Sequence, residues 1–189
     1  MIEDRAAGRR ARGVVLIGMP GAGKSTVGVL VAKHLGLGFV DTDLLVQQRA
    51  GRRLQQIVDE DGYREVRRLE EEAVLGLGPA PAVTATGGSV VYSGRALRHL
   101  SALGPVVYLR AGLAVLAARI DDYDRRGIAS PAGQGLAQIF RERTPLYERH
   151  ADLVVDVDGL THEQAALAVL AALAGQGVKT GTMPPRTTG

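Results

Sequence analysis

Gly18-Met19-Pro20-Gly21-Ala22-Gly23-Lys24-Ser25 is the stretch that decides how this chain folds. It satisfies G-x-x-x-x-G-K-[ST], the pattern of a phosphate-binding loop set between a buried strand and a helix. Glycines let the backbone curl around a phosphate with its amide N–H groups pointing inward, and the helix N-terminus adds the positive end of its dipole. Lys24 can then bridge the β- and γ-phosphates while the Ser25 hydroxyl ligates Mg²⁺. Gly21, Ala22, Gly23, Lys24, Ser25 and Thr26 are therefore expected to bind ATP, with the Lys24 side chain facing outward and making no core contact. With 25 Gly in 189 residues and Lys far rarer, chance supplies the pattern somewhere in the chain with probability about 0.004. Nucleoside triphosphate binding is the reading, not an idle glycine turn.

The flanks agree. Val14–Gly18 is an unbroken apolar run ahead of the loop, and an apolar-periodic helix from about Lys24 to Leu35 follows it, closed by Gly36 and Gly38. Further strands are expected at Gly38–Val40, Ala82–Ala85, Pro105–Leu109 and Leu153–Val157. Between them lie a charged helical stretch over Asp43–Leu77, broken near Gly51 and Gly62, and helices near Arg95–Leu103, Leu113–Ile120, Leu136–Arg149 and Thr161–Leu173. Thr161 with Gln164 three residues on has the form of a capping box. Five short Val/Ile/Leu runs alternating with helices predict a three-layer α/β/α fold around a five-stranded parallel sheet, the fold of P-loop NTPases, with a lid. The expected division is a flexible extension over 1–12, one domain over 13–174 with its lid at about 121–135, and a disordered Gly/Pro/Thr-rich tail over 175–189.

Composition removes other classes of function. The absence of Cys excludes disulfides, thiolate metal sites and thiol nucleophiles. The start lacks an apolar signal region and no apolar run reaches the ~18 residues of a membrane span, so a cytoplasmic protein with no membrane partner is expected. Of 23 basic residues, 20 are Arg, yet the only cluster is Arg5, Arg9, Arg10 and Arg12 and few aromatics accompany it. Nucleic-acid binding would want a basic stripe with stacking platforms, so none is expected. The expected partners are ATP and a small molecule, bound by a monomer.

The loop fixes the nucleotide and leaves the reaction open. Asp41-Thr42-Asp43 follows the second strand, and in extended chain both carboxylates would face one site. One could hold Mg²⁺ through water while the other takes a proton from an attacking hydroxyl; the alternative is a strand end and helix cap. Arg67 and Glu70 share a helix face at i, i+3, either steering a guanidinium toward an anion or forming part of a solvated charged helix. Thr86-Gly87-Gly88 permits close backbone approach to a ligand, or is simply a tight turn. Arg119, Arg126 and Arg143 lie in and around a polar stretch, Asp121–Gly135, suited to a water-excluding lid that brings positive charge to the γ-phosphate.

Taken in order, these motifs resemble the shikimate kinase family over about residues 13–174. The loop and Asp41–Asp43 are similar to the family's first two motifs, Val66–Glu70 to its F-R-x-x-E, Thr86–Gly88 to its T-G-G-G turn, and Glu142–Arg149 to its R-x-P-L-Y segment. The resemblance implies that Arg67 and Arg143 bind a substrate carboxylate, with Glu70 orienting Arg67. It further implies that Arg119 stacks on adenine, that Arg126 is the lid arginine, and that Val155–Thr161 forms the adenine loop. Val66 replaces the family's Phe, Ser89 its third turn glycine, and the lid reads RGIASPAGQG over 126–135. The implied reaction is ATP-dependent phosphorylation of a hydroxyl on a small carboxylate-bearing polyol, with shikimate leading. Asp43, Gly87, Gly88, Arg67 and Arg143 would hold substrate, Lys24, Asp43 and Arg126 would be catalytic, and Ser25 and Asp41 (through water) would organise Mg²⁺. Two rivals stand beside it: a kinase for a gluconate-, homoserine- or nucleotide-like acceptor, and a nucleotide-responsive binding protein with little turnover.

Overall fold

Unbroken runs of β-branched and leucyl side chains suit strands covered on both faces, and that is where they lie in the computed structural model, which describes residues 13–120, 127–131 and 133–175. Strands β1 (Val14–Ile17), β2 (Gly38–Asp41), β3 (Ala82–Ala85), β4 (Val106–Arg110) and β5 (Leu153–Asp156) form one parallel sheet in the order β2-β3-β1-β4-β5. Central β1 pairs with β3 on one side, Val15 opposite Thr84, and with β4 on the other, Val15 opposite Val106. The chain thus leaves β1 toward one edge and later builds outward to the other. Such a sheet opens a crevice beyond the C-terminal end of its central strand, and the Gly18–Ser25 loop occupies that position.

Helices α1 (Lys24–Leu35) and α8 (His162–Gly175) pack together against one face. Helices α5 (Gly94–Leu103), α6 (Leu113–Arg119) and α7 (Leu136–His150) belong to the opposite crossovers. Thr161 and Gln164 form the expected capping box, with Gln164 N donating to Thr161 Oγ1 at 3.2 Å and Thr161 N to Gln164 Oε1 at 2.9 Å. The charged stretch breaks at the two expected glycines into α2 (Thr42–Ala50), α3 (Leu54–Asp61) and α4 (Tyr63–Leu75). These three build a second, small core from Val46, Ile57, Val66 and Ala73, and its fifth buried member is Ala129, from the lid stretch.

Two local readings change. A 3₁₀ turn at Val90–Tyr92 follows the glycine turn, where no element was expected. Strand β2 runs to Asp41 and the helix begins at Thr42, so Asp43 lies in a first helical turn instead of extended chain. The extension over 1–12, Arg126 with the first part of the lid, and residues 176–189 of the tail lie outside the described residues.

Candidate active site

The loop after β1 turns with φ of +147° at Gly18, +82° at Gly21 and +89° at Gly23. The last two lie in the left-handed region that a side chain resists, which is why glycine stands there. Lys24 does not face outward as the sequence suggested. It is only 8% exposed and folds along its own loop, donating from Nζ to the carbonyls of Gly18 at 2.8 Å and Met19 at 2.9 Å. A buried ammonium needs acceptors, and these two loop carbonyls supply them. Burial lowers its pKa to about 8, with Asp43, Glu70 and Asp41 pulling the other way.

Lys24 sits in a cleft of about 720 Å³. Gly21, Gly23, Ser25, Thr26 and Arg119 line one end with Leu160, Thr161 and His162, while Ala22 is buried behind the loop. His162 was missing from the sequence reading. Its ring lies 3.4 Å from where a Gly23 Cβ would stand, and a lone exposed histidine after a cap carries no signal of that.

Asp41 and Asp43 divide the two roles read for their motif. Asp41 caps α2, its Oδ1 accepting from the amides of Asp43 at 2.9 Å and Leu44 at 3.4 Å. Asp43, two residues further and in the first turn of α2, reaches the cleft. Burial raises its pKa well above the usual carboxylate range, and the charge of Lys24 opposes the rise.

Two guanidinium groups converge on one oxygen, the carbonyl of Ala129, whose residue lines the cleft. Arg67 Nε and Nη2, from α4, lie 3.3 and 3.1 Å from the Ala129 carbonyl, and Arg143 Nη2, from α7, lies 2.8 Å from it. Tyr92 props the pair: Arg67 stacks 3.8 Å from its ring centroid, and its hydroxyl accepts from Arg143 Nε at 3.3 Å. Arg143 is 1% exposed. Tyr92 escaped the sequence reading because it stands on the unforeseen 3₁₀ turn. Arg68, one residue on, is exposed and pairs with Glu65 and Glu72.

Among the described residues Glu70 makes no hydrogen bond to Arg67, the residue that the resemblance has it orient. It turns inward, 3% exposed, and accepts a hydrogen bond from the Ser89 hydroxyl. Burial and the nearby charge of Asp43 raise its pKa, against the Ser89 hydrogen bond, Arg143 and Lys24. The glycine turn is likewise only partly open. Gly87 N donates to Thr42 Oγ1 at 2.9 Å, so its amide is committed, while the amide of Gly88 meets no acceptor among the described residues. A Cβ at Gly87 would push Glu70 Oε1 and Asp43 Oδ1 aside, so glycine there leaves both carboxylates in place.

A phosphate loop, the carboxylates of Asp43 and Glu70, and Arg143 of the arginine pair thus line one cleft. The family model for shikimate kinase matches residues 20–174. The chain belongs to the shikimate kinase family. It is 42% identical over 149 residues to a shikimate kinase of Mycobacterium avium, covering 76% of this chain and 83% of that protein. A shikimate kinase of Thermodesulfovibrio yellowstonii is 34% identical over 162 residues, 84% of this chain and 93% of its relative. Among solved structures, the Acinetobacter baumannii shikimate kinase in complex with shikimate superposes with a TM-score of 0.79 at 26% identity, over 89% of this chain and 96% of that one. The family resemblance read from the ordered motifs is borne out. Among the described residues no helix is long and apolar enough to cross a membrane.

Proposed function

We propose that this shikimate kinase family member transfers the γ-phosphate of ATP to a hydroxyl of shikimate, and that the residues of this cleft do so in two halves. The observation that carries the acceptor half is the meeting of Arg67 and Arg143 on the carbonyl of Ala129, a residue that lines the phosphate-loop cleft together with Arg143. Two planar cations aimed at one point suit a carboxylate, which accepts from both at once. The substrate carboxylate takes the place that the Ala129 carbonyl holds, with the Gly88 amide beside it.

At the other half, the loop amides and Lys24 receive the ATP phosphates, Lys24 exchanging its two carbonyl acceptors for phosphate oxygens. Arg119, Thr161 and His162 border the base. Ser25 and Asp41 fit Mg²⁺: both offer hard oxygens, and Asp41 keeps Oδ2 after Oδ1 has capped its helix, which suits an ion that retains several waters. Held there, Mg²⁺ would offset the negative charge of the transferring phosphoryl group. Asp43 accepts a hydrogen bond from the attacking hydroxyl, aligns it with the γ-phosphorus, and takes the proton as the O–P bond forms and the bridge to ADP breaks. Its raised pKa makes it a better proton acceptor than a surface aspartate. Arg126 completes the charge as the lid arginine.

The test is a coupled assay of ADP release over shikimate, quinate, gluconate, homoserine and nucleoside monophosphates. Turnover with shikimate at least tenfold above the rest in kcat/KM supports the reading. A stronger acceptor without a carboxylate overturns it.

A further inference from the structure

Ser89 stands where the family's turn carries its third glycine, and its side chain is not idle. It is 5% exposed, and its hydroxyl donates to Glu70 Oε2. The other carboxylate oxygen, Glu70 Oε1, is buried and has no hydrogen-bond partner among the described residues. The same oxygen and Asp43 Oδ1 flank one point, the place a Gly87 Cβ would fill, and both residues line the cleft. A buried carboxylate oxygen without a partner is costly, and such an atom in a ligand cleft marks a contact that the ligand completes.

We propose that Ser89 is a positioning residue: its hydroxyl holds Glu70 turned away from Arg67, so that Glu70 Oε1 stands beside Asp43 and accepts a second hydroxyl of the acceptor. Asp43 then engages the hydroxyl that reacts and Glu70 engages a neighbouring one. The enzyme selects a polyol in this way over a carboxylate bearing a single hydroxyl. Without the Ser89 hydroxyl, Glu70 is free to swing toward the guanidinium of Arg67 three residues back on its own helix. The groups that face Glu70 are Asp43 from α2, Lys24 from α1, and Arg143 and Tyr147 from α7. Among the described residues, only the oxygen held by Ser89 is satisfied of its two.

The inference rests on the proposed function, and the experiment separates the two. Wild-type turnover of shikimate is measured first; its absence removes the proposed function itself. With turnover established, Ser89→Ala and Ser89→Gly are compared with Ser89→Thr, which restores the hydroxyl. Loss of a hydrogen bond to a charged group predicts KM for shikimate raised about 10-fold or more, with KM for ATP unchanged and Ser89→Thr recovering most of the loss. The acid limb of kcat/KM should move to higher pH in Ser89→Ala, since the lost donor favoured the charged carboxyl. Shikimate analogues lacking one of the non-reacting ring hydroxyls give the sharper arm: for one of them the Ser89→Ala penalty should vanish. A penalty that falls equally on ATP and shikimate, leaves the acid limb in place, or is the same for every analogue overturns the inference.

Discussion

Buried Lys24 and half-buried Asp43 carry opposite charges in one cleft, and each changes what the other costs. Replacing Asp43 by Asn keeps the volume and removes the proton acceptor. We expect Asp43→Asn to lower kcat by about 100-fold or more, the usual range for a positioned base, while calorimetry shows ATP binding within threefold of wild type. Because phosphoryl transfer is largely dissociative, much of that loss comes from a misplaced hydroxyl. Turnover near the wild-type rate would leave Asp43 no role beyond the helix. Lys24→Met keeps the apolar stem and deletes the ammonium, releasing the carbonyls of Gly18 and Met19. Turnover should disappear with every acceptor. The far-ultraviolet circular dichroism should not change, because the lysine's two bonds stay within its own loop. Activity within threefold of wild type would remove the lysine from the phosphate site.

Two helices and one segment of the lid meet at the arginine pair, so its tests belong to the elements. Arg67→Ala should cost roughly 10- to 150-fold in kcat/KM for shikimate at unchanged KM for ATP, a charged hydrogen bond being worth ~1.5–3 kcal/mol. Arg143 is buried against Tyr92, so Arg143→Lys is the safer partner variant; it keeps charge and loses the planar fork. Arg68→Ala is the control, for its exposed pairs with Glu65 and Glu72 are worth little. Equal small losses at Arg67 and Arg68 would reject the carboxylate clamp. The segment holding Ala129 is tethered by Gly127 N donating to Gln55 Oε1 at 2.6 Å. If its carbonyl competes with the substrate carboxylate, Gln55→Ala should lower KM for shikimate by about 2- to 10-fold, the worth of one ordinary hydrogen bond. An unchanged KM would mean the carbonyl yields freely. How much of this was legible follows from the range of each interaction. The sheet, the loop and the breaks at Gly51 and Gly62 are written in local patterns, apolar runs and glycines, and they were read to within a residue or two. Arg67 and Arg143 came from ordered motifs. Glu70's turn toward Ser89, the commitment of Gly87 to Thr42 and the docking of Ala129 join residues far apart in sequence, and no period or spacing encodes them. Asp41 and Asp43 were read as extended chain because the strand's end is set by a cap, which only the folded backbone reveals.

Across the whole molecule the site is a burden on the fold, and pH exposes it. Burial raises the pKa values of Asp43 and Glu70 above those of an unfolded chain and lowers that of Lys24 to about 8. For a carboxyl raised in the folded state, the native protein holds more protons than the unfolded chain between the two pKa values. Stability is therefore full at low pH and falls as pH rises through that window. For Lys24 the unfolded chain holds more protons between about 8 and 10.5, so stability returns as pH rises there. Near pH 7.5 all three groups are charged at the fold's expense, a strain of the kind active sites keep for function. Asp43→Asn, inactive as argued above, should therefore unfold at a higher temperature than wild type at pH 7.5, by roughly 2–4 °C for each kcal/mol relieved in a chain of this size. The gain should shrink toward pH 5, because native Asp43 takes up its proton around pH 6 and the two native chains become alike. Differential scanning calorimetry of both proteins from pH 5 to pH 8 measures this directly. A variant no more stable than wild type at any pH would show that Lys24 fully compensates the aspartate, and that the cleft carries no electrostatic cost of its own.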